Sequence, residues 1–324
     1  MHGRYEVDSD ALNTFLTVHR KGGVSNAARE LHRSQPAISR RIALLEQELG
    51  VPLFERVAGR TTLSDAGRVM VPYAERAVAA AQDAENAIRA LTRQIAGPVS
   101  LAVVGTLAGG RLSEILKRFA RQHPDVDLTL RTATSAEVSD LIRRGEATIG
   151  LRYDMNRLRD LDCQRLASEQ LQVVCALDHP LAGKRVARLA DLRGERWIAF
   201  PEIPGRREIS ASHVFALFLT HGLGEIAWTP VDSLTAQKRL VEAGLGIALL
   251  SQTHAADELR FGSISTIRVG DLSASQDIVA VTRRGGFLSA ASQRLLDIIR
   301  AGYAKTNAAG HQAGRPKRAS RRRK

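Results

Sequence analysis

The chain has 324 residues, 44% apolar and 25% charged, the composition of a folded protein with room for two or three cores. Its formal net charge of +13 points to an anionic partner. The two cysteines, Cys163 and Cys175, are too few for a disulfide framework and show no CxxC or Cys/His metal spacing. No apolar run reaches the roughly 18 residues that span a bilayer. The first ten residues, MHGRYEVDSD, carry acids where an export signal needs an apolar segment. A cytoplasmic protein with no metal, no cofactor and no membrane contact is expected.

The positive charge is uneven. Seven of the last ten residues, Arg315 to Lys324, are Lys or Arg, which predicts a solvated, disordered tail with at most a non-specific attraction for phosphates. A second basic excess lies between Arg20 and Arg60.

Residues 10 to about 93 read as consecutive helices, with Leu12, Phe15, Leu16 and Val18 on a helical period. Within Gly23 to Glu46, Ser25 is placed to cap a helix whose apolar face holds Ala28 and Leu31. The chain breaks at His32-Arg33, and Ser34 caps a second helix with Pro36 in its first turn. Ile38, Ile42 and Leu45 form that helix's buried stripe, leaving Gln35, Ala37, Ser39, Arg40 and Arg41 toward solvent. Gln bonds adenine bidentately, Arg takes guanine or a phosphate, and Ser suits either, so this face has the chemistry of a major-groove reader. By itself it also fits a structural helical hairpin. Leu53 to Arg56 and Gly59 to Ser64 then predict a two-stranded wing, with a turn at Ala58-Gly59, that carries Arg56 and Arg60 beside the groove. From Ala66 to Arg93 an alanine-rich helix follows, which Pro72 should kink or break. Val78, Ile88 and Leu91 suit a helix–helix seam on it.

After Gly97-Pro98 the rhythm changes. Val99–Val104, Asp127–Arg131 and Ala147–Leu151 read as strands; Leu112 to Phe119 and Glu137 to Arg144 read as helices. The pattern restarts at Gln172–Ala176 and Trp197–Phe200. Alternation of this kind predicts two α/β lobes on a mainly parallel sheet.

Several runs together resemble the winged helix-turn-helix of LysR-type transcriptional regulators: Phe15, Ala27 to Leu31, Ser34-Gln-Pro-Ala-Ile-Ser39, Ile42, Leu45-Glu46, Leu49-Gly50, Leu53 to Arg56 and Leu63 to Gly67. Asp178 to Ala182, Leu189 to Leu192 and Leu240 to Leu249 are similar to that family's effector-binding domain, so the resemblance runs from about Asp10 to Tyr303.

It implies an α plus α/β protein: a DNA-binding winged helix at 8–66, a linker and dimerisation helix at 67–95, and a two-lobed effector domain resembling periplasmic binding proteins at 98–303. Lobe crossovers are expected near 168–171 and 268–272, and a disordered basic tail at 304–324. The expected DNA-binding residues are Ser25, Arg33, Ser34, Gln35, Pro36, Ala37, Ser39, Arg40, Arg56 and Arg60. By the same resemblance Thr106, Thr134, Ser135, Phe200, Pro201, Ser233 and Thr235 are expected at the effector, with Arg152, Arg206 or Arg207 as an added positive charge.

Hydroxyls and backbone N–H groups suit a carboxylate co-inducer of unknown identity. Implied partners are double-stranded promoter DNA, that effector, a second or fourth copy of the chain, and RNA polymerase. A regulator of the same fold that answers to no ligand is the alternative reading. The chain departs from the family pattern at Ala133, Ala147-Thr148 and Leu250-Ser251. A solute-binding protein would lack the N-terminal winged helix, and an enzyme would need a phosphate loop, HExxH or GxSxG motif that the chain does not carry.

Overall fold

A computed structural model describes residues 7–92, 98–155, 158–201 and 209–313, and the chain divides into two compact units.

The first unit holds α1 (Ser9–Lys21), α2 (Val24–Glu30), α3 (Gln35–Leu49), β1 (Phe54–Val57), β2 (Arg60–Leu63) and α4 (Asp65–Thr92). Asp8 caps α1 by accepting from the Ala11 N–H at 2.7 Å, and Gly22 ends it in the left-handed conformation. Ser25 does not cap α2. The cap is Gly23, with no side-chain bond, so that Ser25 lies one residue inside the helix. Consecutive glycines turn the backbone early enough for Val24 to enter the helix.

His32, at φ 51°, makes the turn into α3. Ser34 caps α3 by accepting from the Ala37 N–H, with Pro36 in the first turn. Ile38 and Leu45 are buried among Phe15, Val18, Ala27 and Leu53, and the Phe15 and Phe54 rings meet at 5.3 Å. The wing pairs Phe54 with Leu63 through Val57 with Arg60. Ala58 and Gly59 both have positive φ, the two-residue turn whose twist matches a hairpin.

Of the kink or break expected at Pro72, the break does not occur, because α4 runs through it. Ala74 is buried in the unit's core with Met70, Val71 and Val78 packed beside it, and this packing outweighs one missing backbone bond. Val78 therefore belongs to the core rather than to a free seam. Ile88 is exposed, and the Leu91 side chain lies outside the described residues.

The second unit begins with β3 (Val99–Val104), α5 (Gly110–Gln122), β4 (Leu128–Ala133), α6 (Ser135–Arg143), β5 (Ile149–Tyr153) and β6 (Leu161–Ala176). It continues with β7 (Arg185–Val186), β8 (Trp197–Ala199), α7 (Ile209–Thr220), β9 (Trp228–Pro230) and α8 (Leu234–Glu242). The last elements are β10 (Ala248–Ser251), α9 (Gln252–Phe261), β11 (Ile264–Val269), β12 (Ser275–Arg283) and α10 (Ala290–Ala313).

β3 runs parallel to β4 and β5, but β6 pairs antiparallel with β12, β10 and β11. The sheet is therefore mixed, not mainly parallel. Only the end of β6 reads as a strand in the sequence, because its first half is studded with charged and exposed residues. β6 changes partner between Gln170, opposite Ser275, and Leu171, opposite Ser251, and so passes from one lobe to the other. Trp197, Phe218 and Leu223 anchor the second lobe.

The tail does not begin at 304: α10 continues to Ala313, and its buried face (Leu295, Ile299, Tyr303) docks it on the first lobe. Residues 314–324 lie outside the described residues.

A Cβ on Gly67 would sit 2.1 Å from the Leu53 carbonyl oxygen. Gly67→Ala must therefore push α4 off the wing. Thermal unfolding should show a loss at least as large as that of Ile38→Ala, for which a buried side chain of that size predicts about 2–5 kcal/mol.

Candidate functional site

Gln35, Pro36, Ala37, Ser39 and Arg40 are exposed on α3, beside the exposed cap Ser34. A shallow open groove between α2 and α3 is lined by Ser25, Arg29, His32, Arg33 and Gln35. Arg29 and His32 lie outside the residues expected there; Arg29 sits one turn after Ser25 on α2, an offset legible in the sequence, whereas the turn places His32.

The arginines are not equivalent. Arg41 does not point freely to the groove: its Nη2 is 2.9 Å from Asp8 Oδ2 and 2.8 Å from Asp10 Oδ2. Arg33 Nη1 donates to Asp10 Oδ2 at 2.9 Å while its side chain stays 45% exposed. The Arg33 hydrogen bond, helped by the charges of Arg33 and Arg41, holds the Asp10 carboxyl below the usual carboxylate range against the cost of burial. The two carboxylates at the start of α1 thus tie α1 to α3 and, among the described residues, leave Arg40 as the cation of that helix outside these pairs.

On the wing, Arg56 pairs with Thr61 and Val57 with Arg60. Paired residues share a face and neighbours alternate, so Arg56 and Arg60 occupy opposite faces rather than one edge. Arg56 shares its face with Phe54, which packs on the core.

In the second unit a cleft of about 660 Å³ opens between the lobes. Thr106, Thr134, Phe200, Pro201, Ser233 and Thr235 all line it. α5, α6 and α8 begin at its wall, where Gly109, Thr134 and Ser233 are lining residues. Thr134 and Glu137 form a reciprocal cap. The Glu137 N–H donates to Thr134 Oγ1 at 3.3 Å and the Thr134 N–H donates to Glu137 Oε2 at 3.0 Å. Ser233 Oγ accepts from the Ala236 N–H.

Two expected residues are absent from this wall. Ser135 is fully buried in the first turn of α6. Arg152 is also fully buried; its Nη1 donates to the carbonyls of Tyr153 at 2.9 Å and Asp154 at 2.6 Å. Tyr153, its neighbour on β5, faces the lobe interface, and strand alternation sends Arg152 to the other side. Arg206 and Arg207 lie outside the described residues.

Among the described residues the cleft wall carries one cation, Lys238, whose Nζ is 2.6 Å from Glu258 Oε1. Asp232 and Glu137 add carboxylates to the wall.

Behind Thr106 and Phe200 the cleft leads to an inner compartment of about 50 Å³. Its walls include Leu171, Trp228, Leu249 and Leu250, with Tyr153 and His254 as polar groups. Tyr153 Oη lies 3.1 Å from His254 Nε2 and 3.1 Å from Thr106 Oγ1. Burial holds His254 below the ordinary histidine value, and Lys238 pushes the same way while Glu169 opposes it.

A winged helix with an exposed polar recognition face, followed by a two-lobed domain with a cleft, defines a DNA-binding regulator with a sensor domain. Residues 9–68 match the model of the bacterial regulatory helix-turn-helix protein, lysR family, and residues 92–304 that of the LysR substrate binding domain. The chain belongs to the LysR family of transcriptional regulators.

CbbR of Rhodospirillum rubrum is 29% identical over 90% of this chain and 95% of its own length. CysL of Bacillus subtilis (strain 168) is 26% identical over 82% and 87%. The structure of full-length CbnR complexed with its target DNA is similar at a TM-score of 0.58, with 26% identity over 91% of this chain and 100% of that one. The relatives are transcriptional regulators. No described helix is long and apolar enough to cross a membrane.

Gln35→Ala and Arg40→Ala should each cost about 1–3 kcal/mol of discrimination between operator and scrambled DNA, measured by competition gel shift. Arg56→Ala should weaken both DNAs alike and lower the salt slope by about one. Full discrimination retained by Gln35→Ala would show that α3 is not the reader.

The depressed Asp10 carboxyl contributes stability that is present above its unfolded pKa and lost as pH falls through its folded value. Asp10→Asn should flatten the acid limb of the unfolding profile below about pH 4; an unchanged limb would remove Asp10 from the account.

Proposed function

We propose that this regulator binds promoter DNA through Ser34, Gln35, Ser39 and Arg40 on α3, with Arg56 of the wing on a flanking phosphate. It works as a homodimer or homotetramer joined through α4, with RNA polymerase as a further partner at the promoter. Exposed Val69, Tyr73 and Ile88 on α4 support the helix–helix seam.

We further propose that the cleft takes a small anionic effector, with a carboxylate as the chemistry that fits best. The observation that carries this reading is the start of three helices, α5, α6 and α8, at one cleft wall that also bears Thr106, Thr134, Ser233 and Thr235. Free N–H groups at helix starts favour an anion, and Lys238 adds a nearby cation. Glu137 does not oppose this strongly, because its Oε2 already accepts from Thr134. Effector binding changes operator affinity only by the difference in its own affinity for the two lobe arrangements.

A footprint of the purified protein on its own upstream DNA at two salt concentrations tests the first part. A protected, sequence-dependent site should persist after deletion of Arg315–Lys324. Protection equal on scrambled DNA and lost with that deletion would overturn the reading. For the cleft, Thr106→Val and Ser233→Ala should each weaken the effector-induced change in the footprint while leaving operator affinity intact. Unchanged ligand titrations in both variants would sink the site.

A further inference from the structure

We propose that the effector is a small amino carboxylate, with its carboxylate at the helix starts of the cleft and its ammonium group in the inner compartment against Glu169. This rests on the anionic reading of the cleft and adds the opposite charge at the cleft's inner end.

Glu169 stands on β6 directly opposite Gln276 of β12, two residues before Leu171. Gln276 and Leu171 both line the inner compartment. Cross-strand partners share a face, and so do residues two apart on one strand. The Glu169 side chain is therefore turned toward the same compartment. The residue is only 7% exposed, and its Oε2 is buried with no hydrogen-bond partner. Among the described residues no Lys, Arg or His comes within ion-pair distance of it.

A carboxylate taken out of water without a partner is costly, and a cation beside it offsets that cost. The lysine of the cleft wall is already matched. Lys238 Nζ is 2.6 Å from Glu258 Oε1, and the other oxygen of Glu258 is itself buried without a hydrogen bond. Glu169 is left over, and a cationic group on the ligand completes it.

The compartment walls suit that group. Tyr153, Phe200 and Trp228 bring aromatic rings to it, and such rings attract a cation where water is excluded. Its volume of about 50 Å³ exceeds the roughly 10–15 Å³ that one water needs, which leaves room for an ammonium group and the carbon that bears it. Thr106 lines both the cleft and the compartment and marks the passage between them. A ligand lying through that passage meets helix-start N–H groups at one end and Glu169 at the other. A ligand with a single charge meets only one of them.

The test uses calorimetry on the full chain near neutral pH with three matched sets of probes. L-alanine, β-alanine, γ-aminobutyrate and L-leucine carry both charges. Propionate, butyrate and isocaproate lack the ammonium group; ethylamine, propylamine and isoamylamine lack the carboxylate. At least one amino carboxylate should bind about tenfold or more tighter than its matched acid, the effect of a hydrogen bond to a charged group. Glu169→Gln keeps the shape and removes the charge. It should erase that advantage and leave the affinity of the acid unchanged, whereas a merely structural loss would weaken both. A second measurement needs no ligand: by removing an unmatched buried charge, Glu169→Gln should raise the unfolding temperature of the ligand-free chain.

Acids that bind as tightly as the amino carboxylates, or an advantage that survives Glu169→Gln, overturn the proposal and leave the anionic reading standing. An unfolding temperature that does not rise in Glu169→Gln also overturns the proposal alone. Amines that bind as tightly as the amino carboxylates overturn the anionic reading and the proposal with it, as does binding of none of the probes.

Discussion

Every backbone N–H and C=O inside a folded domain needs a partner, and in the effector domain β6 is where that constraint is met for both lobes. From Leu161 to Gln170, with a bulge at Leu166, it pairs with β12 along the first lobe, and from Leu171 onward it pairs with β10 and β11 in the second. A single continuous strand cannot serve two lobes without fixing where one ends and the other begins. That place is the junction of Gln170 and Leu171, and Leu171 lines the inner compartment. The cleft is a consequence of the pairing: α5 and α6 follow strands of one lobe, α8 follows β9 of the other, and their starts meet at the gap that the partner change leaves.

The same logic explains which hydroxyls reach the cleft. Thr134 and Ser233 each cap a helix and line the cleft wall. Ser135, one position further along, points into the core instead. Arg152 shows the converse. A buried guanidinium needs its charge solvated, and the carbonyls of Tyr153 and Asp154 do this on the face of β5 away from the cleft.

In the DNA-binding unit a small apolar core carries three short helices and a wing, and electrostatics refine it. Asp8 and Asp10 each serve twice. Asp8 caps α1 and bonds Arg41, and Asp10 receives both Arg33 and Arg41. Such exposed pairs contribute little to stability. Their effect is on the charge pattern of the exposed face of α3, where Arg41 is paired and Arg40 stays outside the pairs.

The sequence by itself determined the elements that repeat a local rule. The caps at Ser34 and Ser233, the buried period of Ile38, Ile42 and Leu45, the two-residue wing turn and the strands β3, β4 and β5 follow from propensities within a few residues. The family's motif residues extended this to the cleft hydroxyls. Only the tertiary structure decided the mixed sheet, the continuity of α4 through Pro72, the length of α10, and the burial of Arg152 and Ser135. It alone brought Thr106, Tyr153 and His254, far apart in the chain, to hydrogen-bonding distance. The physical reason is range: capping and periodicity are set by neighbours one turn away, whereas the charged first half of β6 is a strand only because β12 lies beside it.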